Sequence, residues 1–192
     1  MKNNFVEVID DFLTKSYYEC LRASIFDPSF PWFYNENSTH SDGNLHYIND
    51  SPAYASFGFT HTFVSGSKST NSELTNLVLP LIFQIKDYLN ASEVLRVRMD
   101  MTLYNPDKRM HPPHVDSYDD HYSAIYYLNE SNGSTVIFNE KISNTIDNNL
   151  TIKETIEPKP NRLVVFDGSY IHTGYSPSNN NCRVLINSNF AP

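Results

Sequence analysis

The chain has 192 residues, 40% hydrophobic and 19% charged, with a formal net charge of −8. That length supplies one domain with a core large enough to need no disulfide framework or zinc knuckle, and the two widely separated cysteines, Cys20 and Cys182, supply neither. The acidic balance, with basic clusters no larger than Arg96-Val97-Arg98 and Lys108-Arg109, argues against wide contact with a phosphate backbone, and no apolar run reaches the ~20 residues of a membrane span. The first residues hold no apolar leader, so a cytoplasmic protein with two reduced, half-buried thiols is expected.

Val6–Ile9 reads as a short strand. Helical periodicity follows from Lys15 to Phe26, with Thr14 or Ser16 as N-cap and Ser16-x-x-Glu19 fitting a capping box, until Pro28 and Pro31 end it. Residues 33–70, rich in Asn, Ser, Thr, Gly and aromatics, resolve only into loops and short strands. A second helix is predicted over Glu73–Asn90, with Leu74, Leu77, Val78, Leu81, Ile82 and Ile85 as its apolar stripe and Pro80 kinking or splitting it.

From Leu95 to Leu103 the period changes to two: Leu95, Val97, Met99, Met101 and Leu103 alternate with Arg96, Arg98, Asp100, Thr102 and Tyr104. The apolar parity should pack on the helices, leaving the polar parity to face a barrel interior or its mouth. Strands are then expected at Tyr122–Leu128, Thr135–Asn139, Leu150–Thr155, Arg162–Phe166 and Arg183–Phe190, separated by turns. Many short strands after two helices predict a mainly β protein with flanking helices (α+β), built as a sandwich or jelly roll. The aromatics between Trp32 and Phe63, including Phe33, Tyr34, Tyr47, Tyr54, Phe57 and Phe59, are candidates for a lid over the site or for part of the core.

His114-Val115-Asp116 places an imidazole and a carboxylate at i and i+2, on one side of an extended chain. Two His and one carboxylate on one face of a metal leave three positions open, the facial triad of an iron-binding site. His40-Ser41-Asp42 has the same spacing but lies in turn-forming sequence with no strand to fix it. The third ligand is assigned to His172, after the apolar strand Leu163–Phe166. Arg183 follows on an apolar-and-amide strand, where a guanidinium is expensive to bury unless it meets an anion.

His114-x-Asp116, His172 and Arg183, in that order, resemble the signature of the Fe(II)/2-oxoglutarate-dependent dioxygenases. The wording around them is similar to the prolyl-4-hydroxylase-like branch. Tyr104 stands ten residues before His114, Ile125-Tyr126-Tyr127-Leu128-Asn129 follows the motif, and Ile156–Phe166 leads into the distal histidine. The resemblance is firm over Leu95–Phe190 and looser over Phe5–Ile25.

It implies a double-stranded β-helix (a cupin-like jelly roll) over residues 94–192, with residues 1–93 as helical buttress and variable lid. It also implies iron on His114, Asp116 and His172. The distal carboxylate of 2-oxoglutarate would pair with Arg183, assisted by Tyr127, with Tyr104 and Thr135 lining the pocket; strand parity adds Asn187 to the face of Arg183. The implied cofactors are Fe(II), 2-oxoglutarate and O2, and the implied activity is hydroxylation of an amino-acid side chain, prolyl in a protein or peptide. A small-metabolite substrate, a nucleic-acid demethylase, a zinc-dependent jelly-roll isomerase and a non-enzymatic jelly-roll ligand-binding protein are the alternatives. Asn189 stands where demethylases of the superfamily carry a second arginine. Two departures from the branch are visible: Asn132 replaces a glycine, and the loop Pro177–Asn181 sets Arg183 further from His172. Substrate identity and oligomeric state are not encoded in any motif found.

Overall fold

A computed structural model describes residues 4–36, 57–70, 72–141 and 150–192. The elements run β1 (Val6–Ile9), α1 (Lys15–Ile25), β2 (Phe33–Asn35), β3 (Gly58–Ser65), β4 (Lys68–Ser69), α2 (Thr75–Leu89), β5 (Glu93–Leu103), β6 (Tyr122–Tyr127), β7 (Thr135–Lys141), β8 (Ile152–Ile156), β9 (Arg162–Asp167), β10 (Tyr170–Gly174) and β11 (Cys182–Ala191). The major sheet has the order β1-β9-β6-β11-β5-β3-β2, with β4 on β3, and the minor sheet β10-β7-β8; every pairing is antiparallel. This is the jelly roll that the run of short strands predicts.

Side-chain parity explains both layers of the core. Val97 and Met99 of β5, Ala124 and Tyr126 of β6, Leu163 and Val165 of β9 and Val184 and Ile186 of β11 join Leu21, Ile25, Val78, Leu81, Ile82 and Ile85 of the helices in one buried cluster. The alternate residues Ile125, Tyr127, Val164, Phe166 and Leu185 point the other way and meet Ile137, Ile156 and Tyr170 of the minor sheet. The central strands are thus buried on both faces, which is why β6 reads as a continuous apolar run rather than an alternation.

The sheet borrows more from the first half than the sequence division at 93/94 allows, since β1 to β4 all belong to it. The eight-residue β3 is longer than the short strands expected within residues 33–70, and β10 adds a strand to the predicted series. The N-terminal segment is pinned by Asn161, which sits at φ 62°. Its Oδ1 accepts from the Leu13 amide (2.8 Å) and the Tyr126 hydroxyl (2.7 Å), and its Nδ2 donates to the Leu13 carbonyl (2.8 Å).

The helices differ from expectation in two details. Helix α1 takes Thr14 as N-cap with no side-chain cap, and Ser16 lies inside the helix, so the capping box is not formed. The Thr14 carbonyl already accepts the Tyr18 N–H at 3.0 Å, which starts the helix ahead of Ser16. Helix α2 is continuous through Pro80 rather than split. Next to the proline, which has no N–H to donate, the Tyr17 hydroxyl donates to the Leu77 carbonyl (2.8 Å) and accepts from the Leu81 N–H (3.3 Å), tying α1 to this turn of α2. Among the described residues, no helix is long and apolar enough to cross a membrane.

Tyr17→Phe removes that bridge while keeping the ring. It should lower the free energy of urea unfolding by about 1–2 kcal/mol with an unchanged m-value. An unaltered midpoint would show that the tie between the helices adds nothing to stability.

Candidate metal centre and co-substrate pocket

His114 lies outside the named strands, in an isolated antiparallel bridge with His172 of β10. The two residues exchange both backbone hydrogen bonds at 2.9 Å, which places their side chains beside each other with ring centroids 4.7 Å apart. Each imidazole is then held by its own chain: Nδ1 of His114 donates to the Pro112 carbonyl (3.0 Å) and Nδ1 of His172 to the Tyr170 carbonyl (3.1 Å). A carbonyl can only accept, so Nδ1 carries the proton and Nε2 keeps its lone pair.

Both Nε2 atoms face Asp116. That of His114 is 3.8 Å from Oδ1 and that of His172 is 3.7 Å from Oδ2. Among the described residues this is the one group of three whose ligand atoms all lie within 4.8 Å of one another. Two neutral imidazoles and one carboxylate on a common side form the facial set suited to Fe(II). Burial alone would raise the Asp116 pKa, but the charges that His172 and His114 take on in acid, with Arg96 and the Asn189 amide, overcome it and hold the carboxyl well below its usual range. Burial pushes His172 down, and burial with the neighbouring His172 pushes His114 down to about 4. The histidines are therefore neutral and the carboxylate ionised, the states a metal needs.

Four groups surround Asp116. Arg96 Nη1 donates to Oδ1 (3.3 Å), Asn189 Nδ2 and Ser123 Oγ donate to Oδ2 (3.0 and 3.3 Å), and Asn187 Nδ2 lies 3.3 and 3.4 Å from the two oxygens. Arg96, Ser123 and Asn189 were not predicted as site residues. Their signal was available in parity, since Asn189 continues the inward row Arg183, Leu185, Asn187 of β11, and Arg96 the row Arg98, Asp100, Thr102 of β5.

Arg183 stands in the same cavity as His114 and His172, 6% exposed. Its Nη2 donates to Thr135 Oγ1 at 2.6 Å, and the Tyr127 hydroxyl donates to the same oxygen at 2.6 Å. Thr135 thus accepts twice and keeps its own proton for a further partner. The Nε of Arg183 is buried with no hydrogen-bond partner among the described residues. A Cβ on Gly174 would collide with Nη1, and one on Gly133 would come 3.2 Å from Cδ, so two glycines make room for the guanidinium. An orphaned guanidinium N–H and an undonated hydroxyl, beside the triad in a glycine-lined recess, fit a carboxylate.

The structure brings together His114, Asp116, His172, Arg183, Tyr127, Thr135 and Asn187. It turns Tyr127 toward the cavity and Tyr126 toward the helices, and it sets Asn187 against Asp116 rather than against Arg183. Tyr104 is left out. Strand β5 ends at Leu103, and Tyr104 is 54% exposed on a side recess with Phe57 and Arg109. Phe63 belongs to the core, whereas Phe33, Tyr34 and Phe57 are exposed; Tyr47, Tyr54 and His40 lie outside the described residues. Cys182 is half-buried and Cys20 is exposed rather than half-buried; both are free.

The two departures at Asn132 and Pro177–Asn181 meet each other. Asn132 Oδ1 accepts the amides of Ser178 and Asn179 (2.9 and 3.1 Å), and the Asn132 amide donates to Asn180 Oδ1 (3.0 Å). The asparagine that replaces glycine thus clamps the longer loop that precedes Arg183.

His111, not predicted, also lines the cavity, with Nε2 3.2 Å from Ser176 Oγ. Burial, then Arg183 and His114, push its pKa down from 6.5 to about 3. The unfolded chain therefore binds a proton at His111 that the fold excludes, so this site's contribution to stability is present above 6.5 and is lost as pH falls toward 3. His111→Gln should make the metal-free protein less sensitive to acid, by about 2 kcal/mol between neutrality and roughly pH 5. Parallel stability profiles for the two proteins would contradict this.

Residues 99–191 match the profile of the 2OG-Fe(II) oxygenase superfamily. No curated protein sequence matches the chain. Among solved structures, a prolyl-4-hydroxylase from Pseudomonas putida is similar at 15% identity and a TM-score of 0.57, over 97% of this chain and 92% of the other. A Trichoplax adhaerens prolyl hydroxylase, in complex with a hypoxia inducible factor oxygen degradation domain peptide, is similar at 12% identity and a TM-score of 0.60, over 97% and 84%. SnoN, a non-heme alpha ketoglutarate dependent epimerase from nogalamycin biosynthesis, is similar at 10% identity and a TM-score of 0.62, over 97% and 81%. At these identities the likeness is one of fold. The profile match covers just under half of the chain and spans His114, Asp116, His172 and Arg183; a 2OG-Fe(II) oxygenase domain with this triad fits a 2-oxoglutarate-dependent dioxygenase using Fe(II), 2-oxoglutarate and O2.

Proposed function

We propose that the protein hydroxylates an amino-acid side chain, prolyl within a protein or peptide, with iron held by His114, Asp116 and His172 and the distal carboxylate of 2-oxoglutarate held by Arg183. The observation that carries the reading is the placement of three convergent ligand atoms beside a buried arginine whose Nε has no partner. With both bound, iron supplies the oxidative decarboxylation: 2-oxoglutarate, O2 and a C–H bond become succinate, CO2 and a C–OH group.

The chain's own residues bind, orient and exclude water. The backbone carbonyls of Pro112 and Tyr170 keep the Nε2 atoms of the two histidines unprotonated and aimed at one point. Arg96, Asn189 and Ser123 hold Asp116 ionised and fixed without water. Arg183 and Thr135 present N–H and O–H donors to a carboxylate, and Tyr127 fixes Thr135 from below. Asn187 bridges the co-substrate row of β11 to the metal carboxylate. The prolyl assignment draws support from the two prolyl hydroxylases of similar fold, and from the branch-like wording around His114. The nogalamycin-biosynthesis epimerase of the same fold keeps a small-molecule substrate as the competing reading.

His114→Ala, Asp116→Ala and His172→Ala should each abolish succinate formation and stoichiometric iron binding while the far-ultraviolet dichroism stays that of the wild type. Substantial turnover in His172→Ala would mean that another residue completes the triad. Arg183→Ala should raise the 2-oxoglutarate concentration needed for half-saturation by about tenfold or more at unchanged iron affinity, and Arg183→Lys should recover part of it. Equal losses for iron and co-substrate would contradict the assignment. For the substrate, proline-containing peptides should raise succinate production and gain one oxygen atom by mass; stimulation by small metabolites alone would overturn the prolyl reading and leave the dioxygenase intact.

A further inference from the structure

Iron and 2-oxoglutarate leave one charged pair of the cavity unexplained. Strand β5 sends Arg98 and Asp100, two residues apart and so on one face, into the cavity that holds His114 and His172. Arg98 Nε is 2.7 Å from Asp100 Oδ1, and the side chains are only 17% and 14% exposed. In the sheet register Arg98 stands opposite Asn187 and Asp100 opposite Leu185. Asn187 turns its amide N–H toward Asp116, and its Oδ1 is buried with no hydrogen-bond partner among the described residues.

An ion pair this enclosed is rarely a net source of stability, because removing two charges from water offsets their attraction. The wall itself accepts an apolar residue at that level, since Leu185 occupies it on the neighbouring strand. The pair sums to zero charge, so it offers no net attraction to an anion or a cation. What it does offer is an edge of guanidinium donors next to a carboxylate acceptor, with a second acceptor at Asn187 Oδ1. The chemical group that matches such an edge carries a carbonyl and an N–H on adjacent atoms and no formal charge. That group is an amide. A free amino acid would bring two full charges into the same enclosure, each with its own water to lose.

We propose that Arg98, Asp100 and Asn187 form the edge that recognises substrate, taking a main-chain amide next to the carbon that is hydroxylated. The inference rests on the proposed function and sharpens it. The protein selects residues inside a peptide chain through their backbone, and discriminates against free amino acids of the same side chain. Arg98 and Asp100 are specificity residues in this account, with no part in holding iron or 2-oxoglutarate.

The test uses two variants, the charge exchange Arg98→Asp/Asp100→Arg and the isosteric Asp100→Asn. The probes are a pool of N-acetylated, C-amidated peptides with each residue type at the centre, proline included, and the twenty free amino acids. Wild type should show succinate production stimulated by the capped peptides and not by the free amino acids. Asp100→Asn should raise the peptide KM by about tenfold with the 2-oxoglutarate KM unchanged, the size expected for losing a hydrogen bond to a charged group. The charge exchange should keep the anaerobic absorption of the Fe(II)–2-oxoglutarate chelate and lose peptide stimulation; if it fails to fold, Asp100→Asn carries the test. Peptide kinetics unchanged in Asp100→Asn, stimulation by free amino acids alone, or a chelate in wild type that no peptide stimulates would each overturn the inference. A wild type that forms no chelate would instead remove the proposed function beneath it.

Discussion

The carboxylate of Asp116 is ionised in a place that water barely reaches, and much of the inner face of the major sheet is arranged around that charge. A buried carboxylate without partners would take up a proton and cease to be a ligand. Here Arg96 from β5, Ser123 from β6 and Asn187 and Asn189 from β11 each donate to it. Three adjacent strands must therefore keep one register, because a slip of one residue would turn all four donors to the helical side. The register that serves the metal is the same register that fills the helix-facing core with Val97, Met99, Val184 and Ile186.

The histidines depend on a second, smaller constraint. His114 comes from an irregular segment, and what aims it at the proposed metal position is its reciprocal backbone pairing with His172. That pairing adds the segment to the edge of the minor sheet and fixes two side chains at once. The jelly roll thus brings the major sheet, which carries Arg183 and the donors to Asp116, against the minor sheet, which carries His172 and Thr135. The cavity lies where the apolar packing between the sheets gives way to polar side chains. The two helices take no part in the site. They cover the outer face of the sheet, and Tyr17 joins them at the turn beside Pro80.

Much of this was legible in the residues because it depends on local period. The alternation along Leu95–Leu103 separated a helix-facing from a cavity-facing row, and the ordered His114, Asp116, His172 and Arg183 stood out by type and sequence. Tyr104 was placed at the pocket by its spacing from His114 in the family pattern, whereas β5 ends at Leu103 and the Tyr104 side chain lies in a side recess with Phe57 and Arg109. β3 escaped because its strand character comes from pairing with β5 and from packing Phe63 into the core, neither of which polar composition betrays. Arg96 and Asn189 lay on rows already drawn, yet their partner is 20 and 73 residues distant in sequence, a pairing that only the folded sheet reveals. Asn132 stood out only as a departure from the branch pattern, in place of a glycine. In the fold it is the residue that holds the Pro177–Asn181 loop, so that both departures from the pattern are one adaptation.

The central claim is that one cavity holds a metal on His114, Asp116 and His172 and a 2-oxo diacid on Arg183 at the same time. Anaerobic titration of the protein with Fe(II) and 2-oxoglutarate tests it most directly, through the visible charge-transfer absorption that arises only when the 2-oxo acid chelates protein-bound iron. The account predicts a band that saturates at one equivalent of iron and that needs both components. Full iron binding with no band on adding 2-oxoglutarate, or no stoichiometric binding of iron at all, would contradict it.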